Sequence, residues 1–243
     1  MKTEKLVVNL ITNLILVTVL SCVACVSFYG GVSNVFAFAD KNQPYYRGNE
    51  QFKRVSLMIN VYWGTEYLDD MLAILDEYSV MATFFVGGDW VSKNNDYLRK
   101  IAECGHEIGN HGYFHKNHDK LSYQQNIDEI TACQKVVESV CGIKTSLFAP
   151  PSGAYGKNTL NAVADLGYKA IMWSKDTIDW RDKDTGLIYS RATKDLCNGD
   201  LVLMHPTQHT VMALPKIIKF YIDSGFSVVT VSQNISGDSN AIL

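Results

Sequence analysis

His111 and His115 stand four residues apart in the segment HGYFH, which closes a short strand-like run over 107–111. Neutral imidazole is the common nitrogen ligand of Zn²⁺ and similar divalent metals, and this spacing lets two rings meet one ion. The same pair could instead cap a turn or pack in a core. Placement after a strand, with Gly112 and His118 close by, favours the ligand reading. His106-Glu107 resembles the start of the zinc-protease pattern H-E-x-x-H. The position needing His holds Asn110, however, and Gly105 and Gly109 disfavour a helix there. Far downstream, the apolar run 201–205 ends in His205, and the segment 173–180 (WSKDTIDW) carries Asp176 and Asp179. A strand-end imidazole facing the metal pair can act as a general acid. A neighbouring carboxylate, Asp176 or Asp179, can orient it and hold it charged. Metal ligands, a carboxylate and a lone histidine at successive strand ends imply a hydrolytic metal site. The first strand, over 56–60, ends in Asn60 and supplies no acid.

The elements that must position these groups alternate along the chain. Strand-like runs are expected over 56–60, 82–86, 107–111, 145–148, 168–173, 201–205 and 226–231. Between them, apolar stripes of helical period predict helices over 67–78, 95–104, 122–140, 158–166 and 211–224. Short apolar strands alternating with helices mean parallel β/α units whose strands are covered on both faces. About seven such strands in a single domain fit a distorted (β/α) barrel, in which the active site lies at the C-terminal strand ends.

The chain has 243 residues, 47% of them hydrophobic and 19% charged, enough for one sizeable core and far from a disordered composition. A net charge of -3 with no Lys/Arg-rich run argues against nucleic-acid binding. Lys2 and Lys5 precede a nearly uncharged apolar stretch over 6–29, and Ala37-Phe38-Ala39 offers a small-x-small cleavage site. Residues 1–39 therefore read as a signal peptide or membrane anchor, 40–54 as a linker, 55–235 as the domain and 236–243 as a loose tail. Either fate of the leader places the domain outside the cytoplasm, with any membrane contact confined to the N-terminal segment. Of six cysteines, Cys104, Cys133, Cys141 and Cys197 lie in the domain without metal-type spacing and read as small buried hydrophobes.

From about Val55 to Val231 the chain resembles the polysaccharide deacetylase family, carbohydrate esterase family four, on several ordered motifs. AECGHEIGNHGYFH (102–115) is similar to the second motif with its usual approach, and FAPPSGAYG (148–156) to the third. Asp179-Trp180 matches the fourth motif, Leu203-x-His205 the fifth, and ATFFVGGDW (82–90) is also typical. The resemblance implies removal of acetyl groups from N-acetylated sugars of a cell-wall glycan, peptidoglycan or chitin-like. It implies a divalent metal, Zn²⁺ for preference, held by His111, His115 and one Asp. His205 would serve as general acid and Asp179 as its orienting partner. Pro151, Tyr155 and Trp180 fall where substrate contacts are expected; Tyr113, Tyr155, Trp173 and Trp180 could supply sugar-stacking faces or pack as ordinary aromatic core.

The first motif departs from that pattern. Where the family reads T-F-D-D-G, this chain reads MINVYWG (58–64). Asn60 replaces the base Asp, Val61 or Tyr62 replaces the metal Asp, and Ala149 replaces the Arg that would orient the base. A W-G after a degenerate first motif resembles the sporulation-associated branch. Glu66 is the nearest acid that could stand in. Two readings follow. One is a divergent metal-dependent deacetylase of cell-wall polysaccharide in which Asn60 adds only a hydrogen bond. The other is a pseudoenzyme that binds glycan or a wall-assembly partner without turnover.

Overall fold

Eight strands form one parallel sheet in the computed structural model, which describes residues 13–21 and 43–237. Residues 13–21 are an exposed helix, α1. The rest of the leader, including the 37–39 cleavage site, lies outside the described residues. Among the described residues no helix is long and apolar enough to cross a membrane. The expected tail over 236–243 is likewise described only to residue 237.

The domain runs β1 (Arg54–Val61), α2 (Leu68–Glu77), β2 (Thr83–Val86), α3 (Gly88–Lys93), α4 (Asn95–Glu103), β3 (Glu107–Asn110) and α5 (Tyr123–Cys141). It continues with β4 (Leu147–Phe148), α6 (Lys157–Asp165), β5 (Lys169–Ala170), β6 (Lys175–Asp176), α7 (Thr185–Thr193), β7 (Asp200–Met204), α8 (Gln208–Asp223), β8 (Ser227–Val228) and α9 (Val231–Ile235). Strand order is β5-β4-β3-β2-β1-β7-β6, and β8 pairs with β1. Its partners there are Arg54 and Val55, ahead of the stretch from Met58 that pairs with β2. One segment, 169–176, pairs at its start with β4 and at its end with β7, which curls the sheet toward a barrel. This is the distorted (β/α) barrel of a single α/β domain.

Alternation along the strands sorts the apolar residues into two layers. Leu57, Ile59, Phe84 and Val202 face the helices and pack with Met71, Leu75, Leu98, Val137, Leu214 and Ile218. Met58, Phe85, Leu147, Ala149, Ile171 and Leu201 face inward, joined by Val231 from α9. Each fully buried Val, Leu, Ile, Phe or Met side chain among them contributes ~1.5–3 kcal/mol relative to exposure.

Several boundaries differ from the expectations, each for a local reason. The 168–173 run forms a strand only at Lys169–Ala170. Beyond it Ile171 and Met172 bond to Phe148 and Tyr45, and pairing resumes at β6. The 226–231 run gives way to α9, because Thr230 and Gln233 form a capping box. Helix α8 begins at Gln208, three residues early, because the Thr207 hydroxyl caps its first turn. Helix α5 starts on the Ser122–Gln125 capping box and ends at Gly142, whose φ of 72° suits glycine. The four cysteines of the domain are all free, Cys133 and Cys141 at least partly buried but Cys104 and Cys197 exposed.

Candidate active-site cleft

Asn60 is the last residue but one of β1, His111 follows β3, Ala149 follows β4, Asp176 ends β6 and His205 follows β7. All these groups lie at one end of the sheet because every strand is parallel. A cavity of about 320 Å³ opens there, lined by Asn60, Trp63, His111, His115, Ser152, Trp173, Asp176, Trp180, Leu203 and His205. A second cavity of about 300 Å³ shares the walls Trp63 and Trp180 and continues toward Glu66, Lys183 and His209.

The β3 side is held from behind. Asn110, fully buried, accepts from the Gly112 N–H at 2.9 Å and donates to the Ile130 carbonyl at 2.9 Å. Glu129 accepts from the N–H groups of Tyr113 and Phe114 at 3.0 and 2.8 Å and pairs with Lys116 at 2.7 Å. These contacts bring the chain round sharply, with Gly112 and His115 both in the left-handed region at φ 73° and 52°. For a non-glycine residue such as His115 this is strained backbone. His111 Nδ1 donates to the Ala149 carbonyl at 2.7 Å, which leaves Nε2 as an acceptor in the neutral ring. Burial, and secondarily His115, holds His111 well below the ordinary histidine range, and burial also lowers His115. His118 is buried behind them with Nδ1 2.6 Å from Asn126 Oδ1, outside the cavity lining.

On the β7 side the carboxylate against His205 is Asp179. Its Oδ1 lies 2.7 Å from His205 Nδ1, and its Oδ2 accepts from the His205 N–H at 2.6 Å and the Thr210 hydroxyl at 2.5 Å. Asp176 instead accepts from the Ile178 N–H at 2.8 Å and presents its side chain to the cavity. Of the candidate substrate contacts, Trp180 lines the cavity and is 55% exposed. Pro151 is buried in a 3-10 turn beside Ser152, and Tyr155 bonds Tyr46 hydroxyl to hydroxyl at 2.7 Å; neither lines the cavity. Tyr113 packs against the outer core and leaves no room for a side chain at Gly88.

The β1 end carries the departure from the family pattern. Asn60 is 4% exposed, and its Oδ1 has no hydrogen-bond partner. Val61 belongs to the outer core, so the inward position beyond Asn60 falls to Tyr62. The Tyr62 ring stacks on His115, centroids 3.9 Å apart at 19°, and Trp63 stacks on His205 at 5.3 Å and 22°. Spacing alone could not find these two contacts, because they depend on the turn at Gly64, whose carbonyl accepts from Trp90 Nε1 at 2.8 Å. Glu66 bonds the Thr65 N–H and faces the second cavity, so it does not stand in for the missing base. Among the described residues no group of three or more His, Cys, Asp or Glu is placed to hold a metal ion. Two imidazoles, one of them covered by Tyr62, do not fit the Asp-plus-two-His site that the family resemblance implies.

The polysaccharide deacetylase family profile matches residues 47–171. The chain is 38% identical over 191 residues to the uncharacterized protein YlxY of Bacillus subtilis, covering 79% of this chain but only 60% of YlxY. It is 31% identical over 173 residues to a peptidoglycan-N-acetylglucosamine deacetylase of Bacillus cereus, 69% of this chain and 81% of that enzyme. Among solved structures it matches a carbohydrate esterase family four pseudoenzyme from Bacillus anthracis with a TM-score of 0.78. Identity there is 35%, over 80% of this chain and 69% of the pseudoenzyme. A mutant of that pseudoenzyme with restored enzymatic activity matches at the same TM-score and 34% identity, over 80% of this chain and 72% of the mutant.

Proposed function

Because the chain belongs to the polysaccharide deacetylase family, we propose that it is a member whose cleft binds cell-wall glycan without hydrolysing it. One observation carries this reading. At the end of β1, Asn60, Tyr62 and Trp63 occupy the ground where the family reaction needs a base and a metal ligand, and the two rings lie against His115 and His205. A carboxamide cannot take a proton from water at neutral pH, and losing a general base typically costs ~10²–10⁴-fold in rate. A catalytic metal usually has three protein ligands, and this donor set stops at two. The retained groups suit binding: indole faces from Trp63, Trp173 and Trp180 offer apolar platforms for sugar rings. The pseudoenzyme description of the Bacillus anthracis neighbour supports the same reading. The N-terminal apolar segment supports placing this activity on the wall side of the membrane.

The test uses the purified full-length chain with Zn²⁺ and two assays, acetate release from N-acetylglucosamine oligomers and peptidoglycan, and calorimetric Zn²⁺ titration. The expected outcome is acetate release at least ~10²-fold below that of the Bacillus cereus enzyme, with no stoichiometric metal site that His111→Ala removes. Release at a rate comparable to that enzyme would overturn the reading.

A further inference from the structure

Resting on the glycan-binding reading above, we infer that the cleft selects amino sugars whose nitrogen is already free of acetyl, binding the ammonium group itself. Asn60 Oδ1 is buried, unpartnered and part of the lining. His111 Nδ1 is committed to the Ala149 carbonyl, so Nε2 offers a lone pair. His205 Nδ1 is committed to Asp179, so in the neutral ring its Nε2 does the same. Asp176 brings a carboxylate with one oxygen left over from the Ile178 N–H. Three indoles, Trp63, Trp173 and Trp180, complete the lining.

The lining therefore sets one carboxylate and several neutral acceptors beside its donors, which are the Ser152 hydroxyl, the Asn60 amide, the indole N–H groups and one ring N–H of His115, and no Lys or Arg lines it. A neutral acetamido group gains less from that carboxylate than a cation does. It has one N–H to give and a carbonyl oxygen that needs a donor. An ammonium has three donors and no acceptor. A carboxylate and aromatic faces both favour a cation, the latter most strongly when it is desolvated. A site short of the ligands for a divalent ion can thus still be suited to a singly charged one. The ligand class is a glucosamine-type glycan, the chemical product of the deacetylation that relatives of this chain are named for.

Calorimetric titration of the full-length chain with a glucosamine hexamer and an N-acetylglucosamine hexamer, without added metal, tests this. The hexamer with free amines should bind about tenfold or more tighter. Asp176→Asn, which keeps an acceptor for the Ile178 N–H, should abolish that preference, bringing the two affinities to within about twofold of each other. Equal or tighter binding of the acetylated hexamer would overturn the inference alone. So would a preference that survives Asp176→Asn, since attraction to the negative chain as a whole would then explain it. Binding to neither hexamer and to no peptidoglycan would sink this inference and the glycan-binding reading together.

Discussion

The two walls of the cleft are made of similar residues and are held in opposite ways. On the β7 wall, Asp179 is fully tied: one oxygen to the His205 ring, the other to the His205 N–H and the Thr210 hydroxyl. On the β1 wall, Asn60 leaves its carbonyl oxygen unpartnered, and Tyr62 and Trp63 are placed by stacking. The first wall keeps its polar groups because they also hold the end of β7 and the start of α8. The second has no such structural duty, so its acids can be lost without unfolding the barrel. Retention of a catalytic-looking residue therefore says less about catalysis where the residue also serves the fold.

That contrast can be broken by substitution. Asp179→Ala should have the largest effect, ~3–5 kcal/mol off the unfolding free energy in urea titrations, because it strands three buried donors. A cost below about 1 kcal/mol would mean that the β7 wall is no better held than the other. The β3 side, which faces the cleft between these walls, should instead respond to pH. His111 is depressed by burial, so the unfolded chain binds more protons than the folded one once pH falls below the ordinary histidine value. Stability is then present above that value and lost as pH falls. A His111→Leu variant should show a flatter stability profile between pH 7 and 5 than the native chain, whatever its starting stability. Tyr62→Asp should raise Zn²⁺ affinity by about tenfold or more in calorimetry, by adding a third donor beside His115, with little change in stability. The smallest effect is expected from Asn60→Leu. Removing a buried, unsatisfied carbonyl should leave stability unchanged or raise it by about 1 kcal/mol, where the same kind of change on the β7 wall is costly.

Much of the barrel was legible because β1, β2, β3 and β7 are short apolar runs and α2, α4 and α5 carry stripes of helical period. Helices α3 and α9 were missed because six and five residues are too few to show a period, and α7, as long as α4, because its Leu187 is exposed and its inward face is Ile188, Ala192 and Thr193, which make no apolar stripe. Their start signals were nevertheless readable in part: Asp184 caps α7 and Thr230 caps α9. In the cleft, His111, His115, Asp179 and His205 could be picked out by their places at strand ends. The choice between Asp176 and Asp179 could not be made from the residues themselves, since both follow the same strand-like run. Trp63 escaped notice because its role depends on a turn that brings it back over His205, a contact between residues 142 positions apart.

The pairing of β8 with β1 sets the order in which this molecule can come together. Ser227 and Val228 complete an edge of the strand that begins at Arg54, and the Val231 N–H donates to the Thr83 hydroxyl at 2.8 Å. Residues separated by about 150 positions thus share one layer, and the loop between them must close before either is fully satisfied. A ribosome that has released only the first half of the domain has made a sheet with an open seam and an unplugged interior. Folding of this chain is therefore expected to be a late, cooperative event that follows synthesis of residues 227–235, not a gradual one that keeps pace with it.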